Sequence, residues 1–123
     1  MIINQKRKIK LNGKYYNINV TTYKNNRICL EFINKEEKHE LTINLEDIYI
    51  DNGRVFLNPI VKKNGLLKEL KKKRIIKDIC GSINYNYIDI PIAVLNMGIL
   101  RKFDNYGVNK YLQRINGLED YYE

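Results

Sequence analysis

The stretch Asn58–Ile79 reads NPIVKKNGLLKELKKKRIIKDI and contains the clearest helical pattern of the chain. Three leucines recur at helical spacing on one face, namely Leu66, Leu67 and Leu70. Asn64 precedes them and can cap the helix, because its side-chain oxygen can accept from first-turn amides. Basic residues would join the leucine face after Lys73, so we expect the helix to end near that residue.

The same stretch also holds most of the positive charge. Between Lys62 and Lys77 there are eight Lys or Arg residues and one Glu. Such a run is typical of a solvated helix face, and it is also the electrostatic pattern of a phosphate-binding surface. If nucleic acid is bound, we expect five residues here to make contacts: Lys68, Lys71, Lys72, Lys73 and Arg74.

Length and composition predict one globular domain, residues 1–123. The chain has 44% hydrophobic residues, which is enough for one modest core. No apolar run is long enough to span a bilayer, and the first residues lack the apolar region of a signal peptide. We therefore expect a cytoplasmic protein that does not act in a membrane.

The net charge of +8 has two competing explanations. It favours nucleic-acid binding, because basic surfaces attract phosphate. However, the chain is also rich in Ile, Asn and Tyr, whose codons are A/T-rich like those of Lys. An A/T-rich genome would produce the same excess of lysine, which leaves open a protein–protein interaction module without a nucleic-acid role.

Before residue 58, alternating residues predict antiparallel strands. Asn12-Gly13 favours a two-residue turn in which Ile9 faces Tyr16 and Leu11 faces Lys14. Further strands are predicted over 27–33 and 40–45, and a second hairpin joins 48–50 to 55–57. These patterns predict an α+β fold with an antiparallel sheet of five or six strands. The central helix would cover one face of this sheet.

After residue 79 the pattern predicts a strand and then short helices. A turn at Gly81-Ser82 would lead into strand Ile83–Ile90, in which Tyr85 and Tyr87 share a face. Pro91 fits the first turn of a helix better than a central strand, and apolar residues continue at helical spacing to Phe103. A short last helix is expected over 108–115, with Gly117 just beyond its end.

Motifs for catalysis, metal binding or cofactor binding are missing from the sequence. The single histidine, His39, lies in a charged turn and has no Cys-x-x-Cys partner for a zinc site. The single serine, Ser82, lacks a nucleophile-elbow context, and there is no phosphate-binding glycine loop. We therefore expect a non-enzyme without metal or cofactor. A metal-independent enzyme that uses Tyr, Lys, Asp or Glu is the less favoured alternative.

A second basic cluster precedes the first turn and consists of Lys6, Arg7, Lys8 and Lys10. Tyr15 is expected on the same face as two of these residues, and Tyr85 with Tyr87 would form a stacking pair. Basic side chains interleaved with aromatic rings hold single-stranded nucleic acid. The alternative is that each tyrosine lies at the edge of the core with its hydroxyl in water.

The middle of the chain resembles a domain-of-unknown-function family of short proteins encoded by phages and mobile elements of Gram-positive bacteria. The resemblance covers roughly residues 25–95. It is carried by Asn26-Arg27, by LTINL at 41–45, by VFL at 55–57 and by Asn64-Gly65. Arg74 departs from the family pattern, which places glycine after the helix, and no family counterpart covers the segment beyond Leu95.

The family carries no known activity, so the resemblance implies only a phage or mobile-element context. Small proteins of this phage and mobile-element context often block host defence by binding. Together with the basic surface, this context predicts a nucleic acid or a host nucleoprotein defence complex such as a CRISPR effector as the partner, so the expected role is anti-CRISPR-like.

Overall fold

A computed structural model describes the backbone of residues 7–121 and the side chains of residues 7–117. The fold is α+β, with two four-stranded antiparallel sheets and two helices. The first sheet has the order β1-β2-β3-β4, with β1 (Ile9–Leu11), β2 (Lys14–Thr22), β3 (Ile28–Ile33) and β4 (Lys38–Glu40). The second has the order β5-β6-β8-β7, with β5 (Thr42–Ile43), β6 (Arg54–Leu57), β7 (Ile76–Tyr85) and β8 (Ile88–Leu95).

The first hairpin confirms the turn and register predicted from the sequence. Asn12 and Gly13 both have positive φ, at 52° and 79°, as a type I′ turn requires. Ile9 pairs with Tyr16, and Leu11 pairs with Lys14. Ile9 is buried in the main core and Leu11 packs against it, so Lys10 between them points away from that core.

The prediction of one sheet with five or six strands is wrong, because the chain changes sheets at Leu41. The Leu41 amide donates to the carbonyl of Leu30 at 2.8 Å, and its own carbonyl accepts from the Asn58 amide at 2.8 Å. Leu41 is completely buried. The strand predicted over 40–45 is therefore divided between β4 of the first sheet and β5 of the second.

The second predicted hairpin is also wrong. The segment 44–53 contains no strand, and β6 pairs with β5 and β8 instead. Ile48 and Ile50 pack from this loop onto a small apolar cluster on the second sheet. That cluster is formed by Leu45, Phe56 and Ile90. The alternation of Ile48 and Ile50 suggested a strand, but these side chains belong to a loop and pack on the second sheet.

The helix predicted from Pro91 is a strand. Pro91 lies in β8 opposite Ser82 of β7, and β6 pairs only with the next residues of β8, at 92–94. The proline therefore stands just outside the part of β8 that is flanked on both sides, where a missing amide is tolerated. The following helix begins at Met97. Its cap is Asn96, whose Oδ1 accepts from the Ile99 amide at 3.1 Å.

The central helix, α1 (Leu66–Lys72), ends where the sequence predicted. Leu66 and Leu70 are buried in a core that both sheets and both helices share, and Leu67 is half-buried against it. The predicted cap is corrected, because Gly65 occupies the N-cap position and no side-chain capping bond is made there. Asn64 instead adopts a positive φ of 57°, so its side chain is not placed for capping.

The second helix, α2 (Met97–Tyr121), replaces the short C-terminal helices of the prediction and includes Gly117. It is interrupted at Asp104, whose φ of −156° and ψ of 82° are not helical. The Asp104 carboxylate accepts from the Gly107 amide at 3.0 Å and from the Val20 amide at 2.9 Å. It therefore caps the second half of α2 and also joins that half to β2.

Gly107 allows α2 to approach β2 this closely. A Cβ atom added at Gly107 would lie 2.5 Å from Asp104 Oδ2 and closer still to the Val20 carbonyl oxygen. Neither atom can move easily, because the carboxylate is held by two amides and the carbonyl belongs to a strand. Only a residue without a side chain fits at this point of the helix.

We expect Leu70→Ala to lower the free energy of unfolding by about 2–5 kcal/mol, because a fully buried leucine leaves a cavity. Urea denaturation measures the change. Leu67→Ala is the matched control on the same helix, and its half-buried side chain predicts a smaller effect. Equal stability of Leu70→Ala and wild type would contradict the packing of α1.

We expect Gly107→Ala to destabilise the protein by about 1–3 kcal/mol, because the added methyl group pushes α2 away from the Val20 carbonyl. Gly117→Ala is the control. Apart from its chain neighbours and the backbone of its own helix, no atom of the described residues lies within 4 Å of its added Cβ. Alanine favours a helix over glycine by up to about 1 kcal/mol, so this control should be neutral or more stable. Equal melting temperatures of Gly107→Ala and Gly117→Ala would contradict the close approach of α2 to β2.

Candidate nucleic-acid interface

The basic residues of α1 all point into solvent. The buried Leu66 and Leu70 fix the rotation of the helix, so the lysines between and after them face outward. Five predicted contact residues are exposed there: Lys68, Lys71, Lys72, Lys73 and Arg74. Among the described side chains, none of the five forms an ion pair or a side-chain hydrogen bond, so their charges remain available to a ligand.

Arg74 has an unusual backbone conformation in this cluster. Its φ is +63°, in the left-handed region that favours glycine. The Arg74 amide donates to the Lys71 carbonyl at 3.0 Å, and the Ile75 amide donates to the Leu70 carbonyl at 3.0 Å. These two bonds form a Schellman motif, in which the buried pair Leu70 and Ile75 makes the expected apolar contact. The fold therefore accepts an arginine in the left-handed conformation at a position where glycine is usual.

The N-terminal basic cluster lies beside α1 but points in another direction. Strand β1 lies against α1, and the Arg7 amide donates to the Lys102 carbonyl of α2 at 3.1 Å. Lys8 and Lys10 flank the buried Ile9, so they point away from the core that α1 covers. Lys6 lies outside the described residues. The two predicted clusters are neighbours in the fold but do not form one flat surface.

Tyr15 has the predicted neighbour on β1. The Lys10 ammonium lies 5.6 Å from the centre of the Tyr15 ring, and both side chains are exposed on the outer face of the first sheet. This cation–π pair offers a basic group beside an aromatic face. The outer face of β1 therefore remains a candidate surface for contact with nucleic acid.

The predicted stacking pair of Tyr85 and Tyr87 does not form. The hairpin turn of β7 and β8 falls at Asn86-Tyr87, both with positive φ, and not at Gly81-Ser82. Tyr87 is 99% exposed at the turn, whereas Tyr85 packs against the small apolar cluster of the second sheet. The two rings thus lie on different surfaces, because Tyr85 ends strand β7 and Tyr87 belongs to the turn.

A cluster of polar groups surrounds Glu37 and was not predicted from the sequence. The Tyr16 hydroxyl donates to Glu37 Oε2 at 2.5 Å, while Lys14 and His39 lie 3.9 Å and 3.8 Å from the same carboxylate. The group lines a cleft of about 390 Å³ that also includes Lys63 near α1. These residues carry no sequence motif, and only the register of β2 with β3 and β4 assembles them.

Three exposed residues of α2 were likewise not predicted, namely Tyr106, Lys110 and Arg114. They recur every four residues and face β2, with the Lys110 ammonium 5.7 Å from the Tyr106 ring centre. Their i, i+4 spacing is a readable signal. Apolar periodicity alone does not reveal it, because these three side chains lie on the exposed face of the helix.

The described part of the chain contains no group of three or more side chains arranged to hold a metal ion. Neither α1 nor α2, within the residues described, is long and apolar enough to cross a bilayer. Cys29 is buried and Cys80 is exposed, and both thiols are free.

The chain has no match among protein-family models, curated proteins or solved structures. The resemblance to the phage and mobile-element family thus stays an expectation from the sequence.

The pKa of Glu37 is lowered, first because the Tyr16 hydroxyl donates to its carboxylate and then because Lys14 and His39 lie near it. A carboxyl group with a lowered pKa stabilises the folded state above its unfolded pKa of about 4.3. This contribution disappears as the pH falls through the lower folded value.

We therefore expect Tyr16→Phe to be less stable than wild type at neutral pH, with a difference that shrinks as the pH falls below about 4. Urea midpoints across this pH range measure the effect. Tyr87→Phe is the control, because the hydroxyl of Tyr87 bonds to no described residue, and it should give no pH-dependent difference. A difference between Tyr16→Phe and wild type that is constant with pH would contradict the role of Glu37.

We expect Arg74→Gly to raise the free energy of unfolding by about 0.5–1 kcal/mol. A left-handed L-residue costs roughly 1–2 kcal/mol, and part of this gain is offset by the larger chain entropy of unfolded glycine. Lys73→Gly is the matched control, because φ at Lys73 is −80° and glycine there should destabilise. Reduced stability in both variants would contradict strain at Arg74.

Proposed function

We propose that this chain is a non-catalytic, cytoplasmic nucleic-acid-binding protein whose contact surface is centred on α1. The observation that carries the proposal is Arg74. It stands exposed among lysines without ion-pair partners in the described part of the chain, at a backbone position where glycine would avoid steric strain. Strain that is kept at a surface position is a reason to look for a function of the side chain.

The charge distribution also supports a phosphate-binding role. Residues 62–77 hold eight Lys or Arg and one Glu, whereas residues 31–51 hold seven of the fourteen acidic residues of the chain. A composition bias toward lysine alone does not explain this separation of charge along the sequence. The cations at the end of α1 are also favoured by the negative end of the helix dipole.

A host nucleoprotein is the partner class that the family resemblance adds. In that case the exposed lysines of α1 would bind the nucleic acid of a defence complex of the CRISPR-effector type. The protein would then act as an anti-defence, anti-CRISPR-like inhibitor by occupying a surface. This proposal rests on the resemblance and on the basic surface together.

The second candidate function is a protein-interaction module. Three large side chains favour it, because Tyr49, Tyr87 and Ile88 are exposed on or beside the second sheet. Exposed apolar and aromatic groups mark protein-binding surfaces when they lie together, as Tyr87 and Ile88 do at the β7–β8 turn. In this function the lysines of α1 would serve solubility.

A salt titration distinguishes the two functions. Phosphate contacts release counterions, so the affinity for DNA or RNA should fall steeply with the logarithm of the salt concentration. We expect the double variant Lys68→Gln, Lys72→Gln to bind all sequences more weakly and to flatten the slope by about one unit for each phosphate that it no longer neutralises. Fluorescence anisotropy with labelled oligonucleotides measures both quantities.

The double variant Lys24→Gln, Lys35→Gln is the matched control, because it removes the same charge from exposed positions outside α1. If this control and the α1 variant are weakened equally, only net charge matters and the assignment to α1 is wrong. Arg74→Gly should bind more weakly while it folds more stably. If Arg74→Gly bound nucleic acid with full affinity, Arg74 would have no role in binding and the proposal would lose its main support.

A further inference from the structure

A groove lies between one edge of β2 and the second half of α2. It has a volume of about 500 Å³, which is within the range of small-ligand sites. Three α2 side chains line it at successive turns, namely Tyr106, Lys110 and Arg114. The opposite wall is the backbone edge of β2 at Val20 and Thr22.

The strand edge directs a backbone donor into this groove. The Val20 amide points away from β3, because it donates to Asp104 of α2 at 2.9 Å. Amides of alternate residues in a strand point to the same side, so the Thr22 amide also points toward α2. This parity agrees with the Tyr23 amide, which points to β3 and donates to the Arg27 carbonyl at 2.8 Å.

Two cations stand beside that donor. Arg114 Nη1 donates to Thr22 Oγ1 at 2.5 Å, which holds the guanidinium at the strand edge and leaves its other N–H groups to a ligand. Lys110 lies one turn earlier. Among the described residues that line the groove, one is acidic. This residue, Asp104, is 3% exposed, and its oxygens accept from the Val20 and Gly107 amides. The groove surface is therefore positively charged.

An aromatic face adjoins these cations. Tyr106 is 72% exposed, so its ring has surface available for stacking although Lys110 lies over it. Stacking on an aromatic side chain is how proteins hold bases without reading their sequence. An anion site next to a stacking surface fits a ligand that joins a phosphate group to a flat ring.

We propose that this groove binds one nucleotide unit. Its phosphate accepts from the Arg114 guanidinium, the Lys110 ammonium and the Thr22 amide, and its base stacks on Tyr106. As a contact along a bound strand, the groove rests on the nucleic-acid function proposed above and extends the interface from α1 to α2. A free nucleotide presents the same chemistry, so the two sources need separate measurements.

The test is an NMR titration of the full chain with adenosine 5′-monophosphate, inorganic phosphate and adenosine. We expect the monophosphate to shift the Thr22 amide and to bind more tightly than phosphate or adenosine. Arg114→Gln should weaken its binding about tenfold, as the removal of a charge-assisted hydrogen bond predicts. Tyr106→Leu should weaken the binding of the nucleotide but not that of inorganic phosphate.

Arg101→Gln is the matched control. Arg101 lies on the same helix, bonds to Asn105 and Asn109, and does not line the groove. Its variant should bind the nucleotide like wild type. An unshifted Thr22 amide, or equal weakening in Arg114→Gln and Arg101→Gln, would overturn the nucleotide site.

Two further measurements separate this site from α1 and identify the source of the nucleotide. The variant Lys68→Gln, Lys72→Gln should keep the affinity for adenosine 5′-monophosphate. A result that contradicts nucleic-acid binding by α1 therefore still leaves the groove to be tested. Arg114→Gln should also weaken the binding of a short oligonucleotide if the groove holds part of a strand. Weaker monophosphate binding with unchanged oligonucleotide binding would overturn the strand contact and assign the groove to free nucleotides.

Discussion

The buried carboxylate of Asp104 joins two parts of the fold that no backbone ladder connects. A carboxylate in the interior gives up much of its hydration, and this cost is offset here by hydrogen bonds from the Val20 and Gly107 amides. One of these bonds covers an edge donor of β2, and the other caps the second half of α2. The position of that half relative to β2 depends on this carboxylate and on the missing side chain of Gly107.

The sequence predicted correctly those elements whose structure depends on residues near each other in the chain. Asn12-Gly13 specified its turn and the register of β1 with β2, because few residues tolerate two successive positive φ angles. The leucine spacing of α1 identified the buried face, since the period of a helix fixes which residues meet the core. The exposed lysines of α1 followed directly, so this part of the candidate site could be predicted.

Features that depend on tertiary contacts could not be predicted in this way. The chain passes from the first sheet to the second at Leu41. The alternation of apolar and polar residues cannot show that a strand changes partners. Pro91 is accepted in β8 only because β6 is short at that point. The break of α2 at Asp104 depends on the distant Val20 amide. For the same reason the groove of Tyr106, Lys110 and Arg114 was not visible from the sequence, although the helical spacing of these three residues was.

The bond between Val20 and Asp104 spans 84 residues, and the bond between Thr22 and Arg114 spans 92. Contacts of such high sequence separation raise the contact order and slow folding, because a long loop must close before they form. During synthesis the first sheet is complete long before α2 leaves the ribosome. Until then the edge of β2 displays unpaired amides and carbonyls, which are a template for association with other strands. The second half of α2 thus ends the period in which the nascent chain is prone to aggregation.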